Sequence, residues 1–161
     1  MWEWMLAAAI AFPAIEAKDL TGKVVQTASV KGPVVYLLGF TYESRFEVEA
    51  WEQALHADAP GLRLITMPVY RGAAKFARGF IDRGMARKTP VAAQSDVMTS
   101  VDDDKLIAGL QLQNPEAAAA IVLVDGAGQV VTLVRGSPTP KTRAQLAAAV
   151  KGLMPEPRKT P

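Results

Sequence analysis

The stretch that most restricts the fold runs from Pro33 to Leu55, PVVYLLGFTYESRFEVEAWEQAL. It opens on Pro33-Val34-Val35-Tyr36-Leu37-Leu38-Gly39-Phe40, an apolar run rich in β-branched and aromatic residues with no polar alternation. Such a run suits a central strand buried on both faces. The period then changes. Val48, Trp51 and Leu55 recur at helical spacing, with Glu43, Glu47, Glu49 and Glu52 around them, so an amphipathic helix follows with carboxylates at its positive end. The join, Thr41-Tyr42-Glu43-Ser44, is short, and Ser44 is the expected N-cap. A buried strand must therefore hand over to a helix start within four residues.

The rest of the 161 residues arranges itself around that unit as one domain. Half the residues are hydrophobic and 21% are charged, which suits a packed core rather than disorder. The formal charge of +2 points neither toward nor away from nucleic acid, and no base-stacking motif is present. There is no cysteine, which removes thiol redox chemistry, disulfides and cysteine metal sites from this chain. The single histidine, His56, leaves little for metal or acid–base constellations.

Residues 1–12, MWEWMLAAAIAF, are apolar and contain the small-x-small pattern Ala9-Ile10-Ala11. They suit a signal or leader segment, or else a first strand or a misassigned start; the run is too short to span a bilayer. A leader favours a periplasmic or membrane-associated place. From Pro13 to Val30 a small hairpin is expected about the turn residues Thr21-Gly22. Asp58-Ala59-Pro60-Gly61 stops the central helix, and Leu62–Val69 is a second strand, parallel to the first. Residues 71–88 predict a basic amphipathic helix, broken near Gly79 or Gly84, with Phe76, Phe80 and Ile81 on its apolar side. Thr89–Thr99 is loop-like. Asp102-Asp103-Asp104 opens a short helix ended by Asn114-Pro115. Ala117–Asp125 and Gln129–Val134 form a hairpin, and Thr139-Pro140 starts the last helix as N-cap and N1. Residues 13–154 thus make the domain, and 155–161 a frayed tail.

A strand–helix join of this kind is the thioredoxin-type arrangement, in which the join carries Cys-x-x-Cys. With Arg45 set against the basic residue that often follows that motif, Thr41 and Ser44 fall on the two cysteine positions. The cis-proline that such folds place before a late strand falls at about Ala119. The order of elements resembles the peroxiredoxin-type version: an α/β thioredoxin-like fold with a mixed sheet, helices on both faces and an N-terminal hairpin. Pieces of the chain further resemble the ATP-synthase assembly-factor family known from mitochondria, a cysteine-poor branch of that fold. These are LLGF, EVEAW, FIDRGMARKTP, LQLQNP and IVLVDGAGQVV with its Gly-x-Pro-Thr-Pro helix start, although Val130-Val131-Thr132 replaces the family's Arg-Trp pair. The resemblance implies a non-enzymatic assembly helper or chaperone for a membrane-embedded subunit, with no cofactor. The competing class is a degenerate peroxiredoxin or thiol–disulfide reductase-like enzyme; a periplasmic adaptor of unknown client is a third.

Candidate site residues follow. Thr41, Tyr42, Glu43 and Ser44 occupy the degenerate redox motif, with Tyr42 and Glu43 either a retained contact surface or an ordinary polar loop. Ser44 as a nucleophile needs a base, and His56 lies about 18 Å along the same helix, so capping is the better reading. Trp51 is expected in the core. The acidic triplet lacks the spacing, glycine and terminal glutamate of a calcium loop and reads as helix capping. Gly126-x-Gly128 is a hairpin turn. Arg71, Lys75, Arg78, Arg83 and Arg87 either face an anionic membrane or a protein client, or merely solvate a helix.

Overall fold

A computed structural model describes residues 10–69, 75–100 and 103–154. Its centre is β3 (Val34–Gly39), whose residues Val34 to Leu38 are all buried. β4 (Arg63–Pro68) lies parallel to it on one side, and β6 (Ala120–Val124) lies antiparallel on the other. β7 (Val130–Arg135) pairs with β6 and completes the order β4-β3-β6-β7. The sheet is mixed because the β3–β4 crossover runs through α1 (Ser44–Asp58), while β6 returns to β7 through a tight turn.

Alternate residues of β3 feed two cores. Val35 and Leu37 pack with Val48, Trp51 and Leu55 of α1 and with Leu146 and Val150 of α4 (Pro140–Leu153). Val34, Tyr36 and Leu38 pack the other way, with Ile15, Met98 and with Leu106 of α3 (Asp103–Gly109). Each such side chain, fully removed from water, contributes about 1.5–3 kcal/mol, so the two layers on β3 dominate stability. The chain thus has helices on both faces of a mixed sheet, as the sequence predicts.

The N-terminal hairpin joins β1 (Glu16–Asp19) to β2 (Val24–Gln26). Asp19 Oδ1 accepts from the N–H groups of Thr21 (2.9 Å) and Lys23 (3.0 Å), which sets the turn, and Gly22 takes φ +92°. Asp125 Oδ1 repeats the device for the β6–β7 turn, accepting from Ala127 N (2.9 Å) and Gln129 N (3.0 Å). Residues 10–12 run along the start of β7: Val130 N donates to Ile10 O (2.7 Å), and Phe12 N to Gly128 O (2.9 Å).

Three expectations are corrected. The segment 89–99 is not a loop: a 3₁₀ turn (Val91–Asp96) leads into β5 (Met98–Ser100), which pairs antiparallel with β1 in a second, three-stranded sheet. α2 (Lys75–Lys88) is continuous through Gly79 and Gly84. Its end is held from outside, because the Gln94 side-chain amide donates to the carbonyls of Ala86 (3.0 Å) and Thr89 (3.1 Å). α3 stops at Gly109, short of Asn114-Pro115, with Gln111 at φ +54°. Among the described residues no helix is long and apolar enough to cross a membrane.

Candidate functional site

The join between β3 and α1 is built by two hydroxyls that serve each other's backbone. Ser44 N donates to Thr41 Oγ1 (3.1 Å), and Thr41 N donates to Ser44 Oγ (3.0 Å). Ser44 Oγ–H donates in turn to Thr41 O (2.7 Å). This is the bond pattern of a capping box, centred on Thr41 in the turn that leads into α1; Ser44, the expected N-cap, is the helix's first residue, and Glu43 before it is already helical in φ and ψ and makes no side-chain cap. The same device opens α4, where Thr139 and Thr142 exchange their bonds. Gly39 lets the box pack close to the strand: a Cβ there would lie 3.1 Å from Ser44 Oγ, and the hydroxyl would have to give by a few tenths of an ångström. Ser44 is 3% exposed, and neither hydroxyl bonds a basic side chain among the described residues. His56 is exposed in the last turn of α1.

Outside this closed pair stands an open lip. Tyr42 is 69% exposed and Phe46 57% exposed, and the Arg45 guanidinium lies over both rings, at 3.9 Å and 4.6 Å from their centroids. Glu43 is exposed beside them. The side chain that sequence reasoning passed over is Phe46. Its signal was available: it lies four residues from Tyr42, off the Val48–Trp51–Leu55 stripe that buries the helix.

The residues just before β6 occupy the place where a cis-proline was sought. Ala119 is fully buried, and its N–H, which a proline would lack, donates to Glu47 Oε1 (3.1 Å). Among the described residues the single cis peptide bond is Gly32–Pro33, at the opposite end of β3. Arg135 fastens the segment before β6 by donating to the carbonyls of Gln113 (2.9 Å), Asn114 (3.1 Å), Ala118 (2.9 Å) and Ala119 (3.3 Å). Gly136 continues the tie, with its N–H to Ala119 O (3.0 Å) and its carbonyl accepting from Trp51 Nε1 (2.7 Å). Trp51 is fully buried, as expected, and also joins α1 to this junction. Neither Glu47 nor Arg135 was singled out from sequence.

The basic set divides. Arg71 and the side chains of Lys75, Phe76 and Arg78 lie outside the described residues. Arg83 and Arg87 are exposed on α2. Phe80, expected on the apolar side, is 74% exposed, while Ile81 and Met85 of the same helix are half-buried. In the acidic triplet, Asp103 and Asp104 form the first turn of α3, where its dipole favours them, and Asp102 lies outside the described residues. Two acidic groups are shifted, one by burial and one by an ion pair. Burial pushes the Tyr36 phenol up to about 12, with Arg63 acting weakly the other way. A two-pronged bond from Arg143 of α4 holds the exposed Asp58 carboxyl below its usual range.

No family model matches the chain, and no curated protein sequence does either. Solved structures do match. A protein from Aquifex aeolicus described as an electron transfer protein superposes with a TM-score of 0.64 at 11% identity, covering 90% of this chain and 97% of that one. The fold is thioredoxin-like. BsSco, of the Sco family of cytochrome c oxidase assembly proteins, matches at TM-score 0.60 and 14% identity over 91% of this chain and 94% of its own. A thio-disulfide isomerase from Thermus thermophilus matches at 0.57 and 16% over 91% and 98%. Identities this low carry the fold alone, and the comparisons lend no support to the ATP-synthase assembly-factor family. On a thioredoxin-like scaffold the Thr41–Ser44 box stands where the strand hands over to the helix, and the chain brings no sulfur to it.

Proposed function

We propose that this chain is a non-redox thioredoxin-fold binding protein that takes a protein client at the lip formed by Tyr42, Arg45 and Phe46. One observation carries the reading: the two positions that would hold reactive sulfur are consumed in a capping box, while the aromatic lip around them stays open. Aromatic rings and arginine are the side chains most often found at the energetic centre of protein interfaces. Stacking on both rings holds the Arg45 fork in place before any client arrives, which lowers the entropy lost on binding.

The finer reading is an assembly factor or chaperone for a membrane-complex subunit of the ATP-synthase type. It rests on the sequence resemblance, and is supported by a similar structure, BsSco, that belongs to a family of assembly proteins. The experiment is affinity capture from native membranes with the wild type and a Tyr42→Ser/Phe46→Ser variant. A client enriched by the wild type and lost from the variant supports the proposal; equal capture by both removes the lip from it.

A second reading is a degenerate thiol–disulfide or peroxiredoxin-like enzyme, or a periplasmic adaptor. It is favoured by what the neighbours are called, a thio-disulfide isomerase among them. The sulfur would then have to come from the client. Turnover in insulin-reduction or peroxide assays, above a denatured control, would establish this reading and displace the first.

A further inference from the structure

The outer face of α2 carries a second surface, separate from the lip. Phe80, Arg83 and Arg87 lie at i, i+3 and i+7, which places them on one side of the helix, and all three are exposed. Lys88, the last residue of α2, and Val91, in the 3₁₀ turn that follows, are exposed as well, and Val91 at 82% and Phe80 at 74% are the two most exposed large apolar side chains among the described residues. The only acid between Gly79 and Ser95 is Asp82, and it is turned toward the body of the protein, where its Oδ2 accepts from Thr99 Oγ1 of β5 (3.3 Å). Asp96, the next acid, is paired with Arg63 (3.0 Å). Arg83, Arg87 and Lys88 make no ion pair with a described residue. The segment from Phe80 to Val91 thus carries three exposed cations and two strongly exposed apolar side chains, and its one carboxylate is engaged with β5.

We infer that this segment docks the protein on an anionic lipid bilayer surface. Charge complementarity selects an anionic partner, and protrusion selects a bilayer. A headgroup layer takes projecting apolar side chains without a matching pocket, while its phosphates and carboxylates take the cations between them. Phe80 and Val91 enter the boundary between headgroups and acyl chains, and Arg83, Arg87 and Lys88 stay at headgroup level. The helix lies along the surface and does not cross it.

The test is sedimentation of the full chain with vesicles of phosphatidylcholine containing about 30 mol % phosphatidylserine, against phosphatidylcholine alone. Binding to the anionic vesicles is expected, weakened by salt. Each cation near an anionic surface adds about fivefold to partitioning, so Arg83→Ala/Arg87→Ala lowers it about 25-fold. Phe80→Ser/Val91→Ser lowers it further and removes the part that survives high salt. All four side chains are exposed, so thermal unfolding followed by circular dichroism is expected to stay near wild type and to exclude misfolding as the cause. Equal sedimentation of wild type and both variants, equal binding to neutral vesicles, or no binding at all overturns the inference. The last result would leave the cations to an acidic protein. Client capture at the lip is unaffected by these variants, so the two proposals fail separately.

Discussion

Alanine at Thr41 and Ser44, singly and together, tests whether these hydroxyls are structural. Thr41→Ala removes the acceptor of the Ser44 N–H, leaving a first-turn donor of α1 without its partner. Loss of a Ser or Thr cap costs about 0.5–2 kcal/mol, and about 1 is expected here. Ser44→Ala removes the acceptor of the Thr41 N–H and one donor to the Thr41 carbonyl. It costs a similar amount, because the added apolar burial at this 3% exposed site offsets part of the loss. The two bonds share one turn, so fraying by either change weakens the other. The double variant should therefore lose less than the sum, with a coupling of about 0.5 kcal/mol or more. Urea unfolding followed by far-UV circular dichroism measures this, and with a slope of roughly 2 kcal/mol per molar each single change lowers the midpoint by about 0.5 M. Midpoints unmoved by either change, or strictly additive losses, would refute the reciprocal box and free both hydroxyls for another role.

Three further outcomes are expected. Tyr36 stays neutral in the folded chain up to about pH 12, while the unfolded chain ionises it near 10. Stability is therefore full below pH 10 and falls by at most roughly 3 kcal/mol as pH rises toward 12; urea midpoints of Tyr36→Phe should lack this share of the alkaline loss, and identical pH profiles would refute it. Arg135→Ala leaves the carbonyls of Gln113 and Ala118 without their donor, while Asn114 O keeps the Ala117 N–H and Ala119 O the Gly136 N–H, so a loss of about 1–3 kcal/mol is expected, with faster amide exchange in residues 113–119. Exchange unchanged there would show that Gly136 and Glu47 hold the segment alone. Thr41→Cys/Ser44→Cys should close an intramolecular disulfide when oxidised glutathione accepts the two electrons and is released as two reduced molecules, because each side chain already reaches the other residue's backbone. Recovery of disulfide-linked dimers alone would show that the pair is not aligned.

What was legible in the sequence is what is local. β3 announces itself because five successive residues are buried on both faces and none can be polar. α4 does so because Thr139 and Pro140 carry its start in two adjacent residues. The thioredoxin-like architecture followed from such units and from handedness. What was missed depends on distant partners. β5 is three residues long and is a strand because β1, some eighty residues earlier, supplies its ladder. The C-terminal end of α2 is held by Gln94, which lies beyond the helix, and nothing within the helix's own sequence reveals that. At the site, Thr41 and Ser44 are both good caps, so periodicity placed the helix start but could not show that each hydroxyl closes on the other. Arg135 is one arginine among many until the carbonyls of Gln113 to Ala119 are brought around it.

The claim that the lip binds and the box is inert is tested most directly by photo-crosslinking in native membranes. A benzophenone side chain replaces Phe46 at the lip, or Lys141 on the exposed start of α4 as the control. The account predicts a discrete adduct from position 46, none from 141, and the same adduct when Thr41→Ala/Ser44→Ala is added to the probe chain. An adduct pattern shared by both positions, or one abolished with the hydroxyls while the chain remains folded, would contradict it.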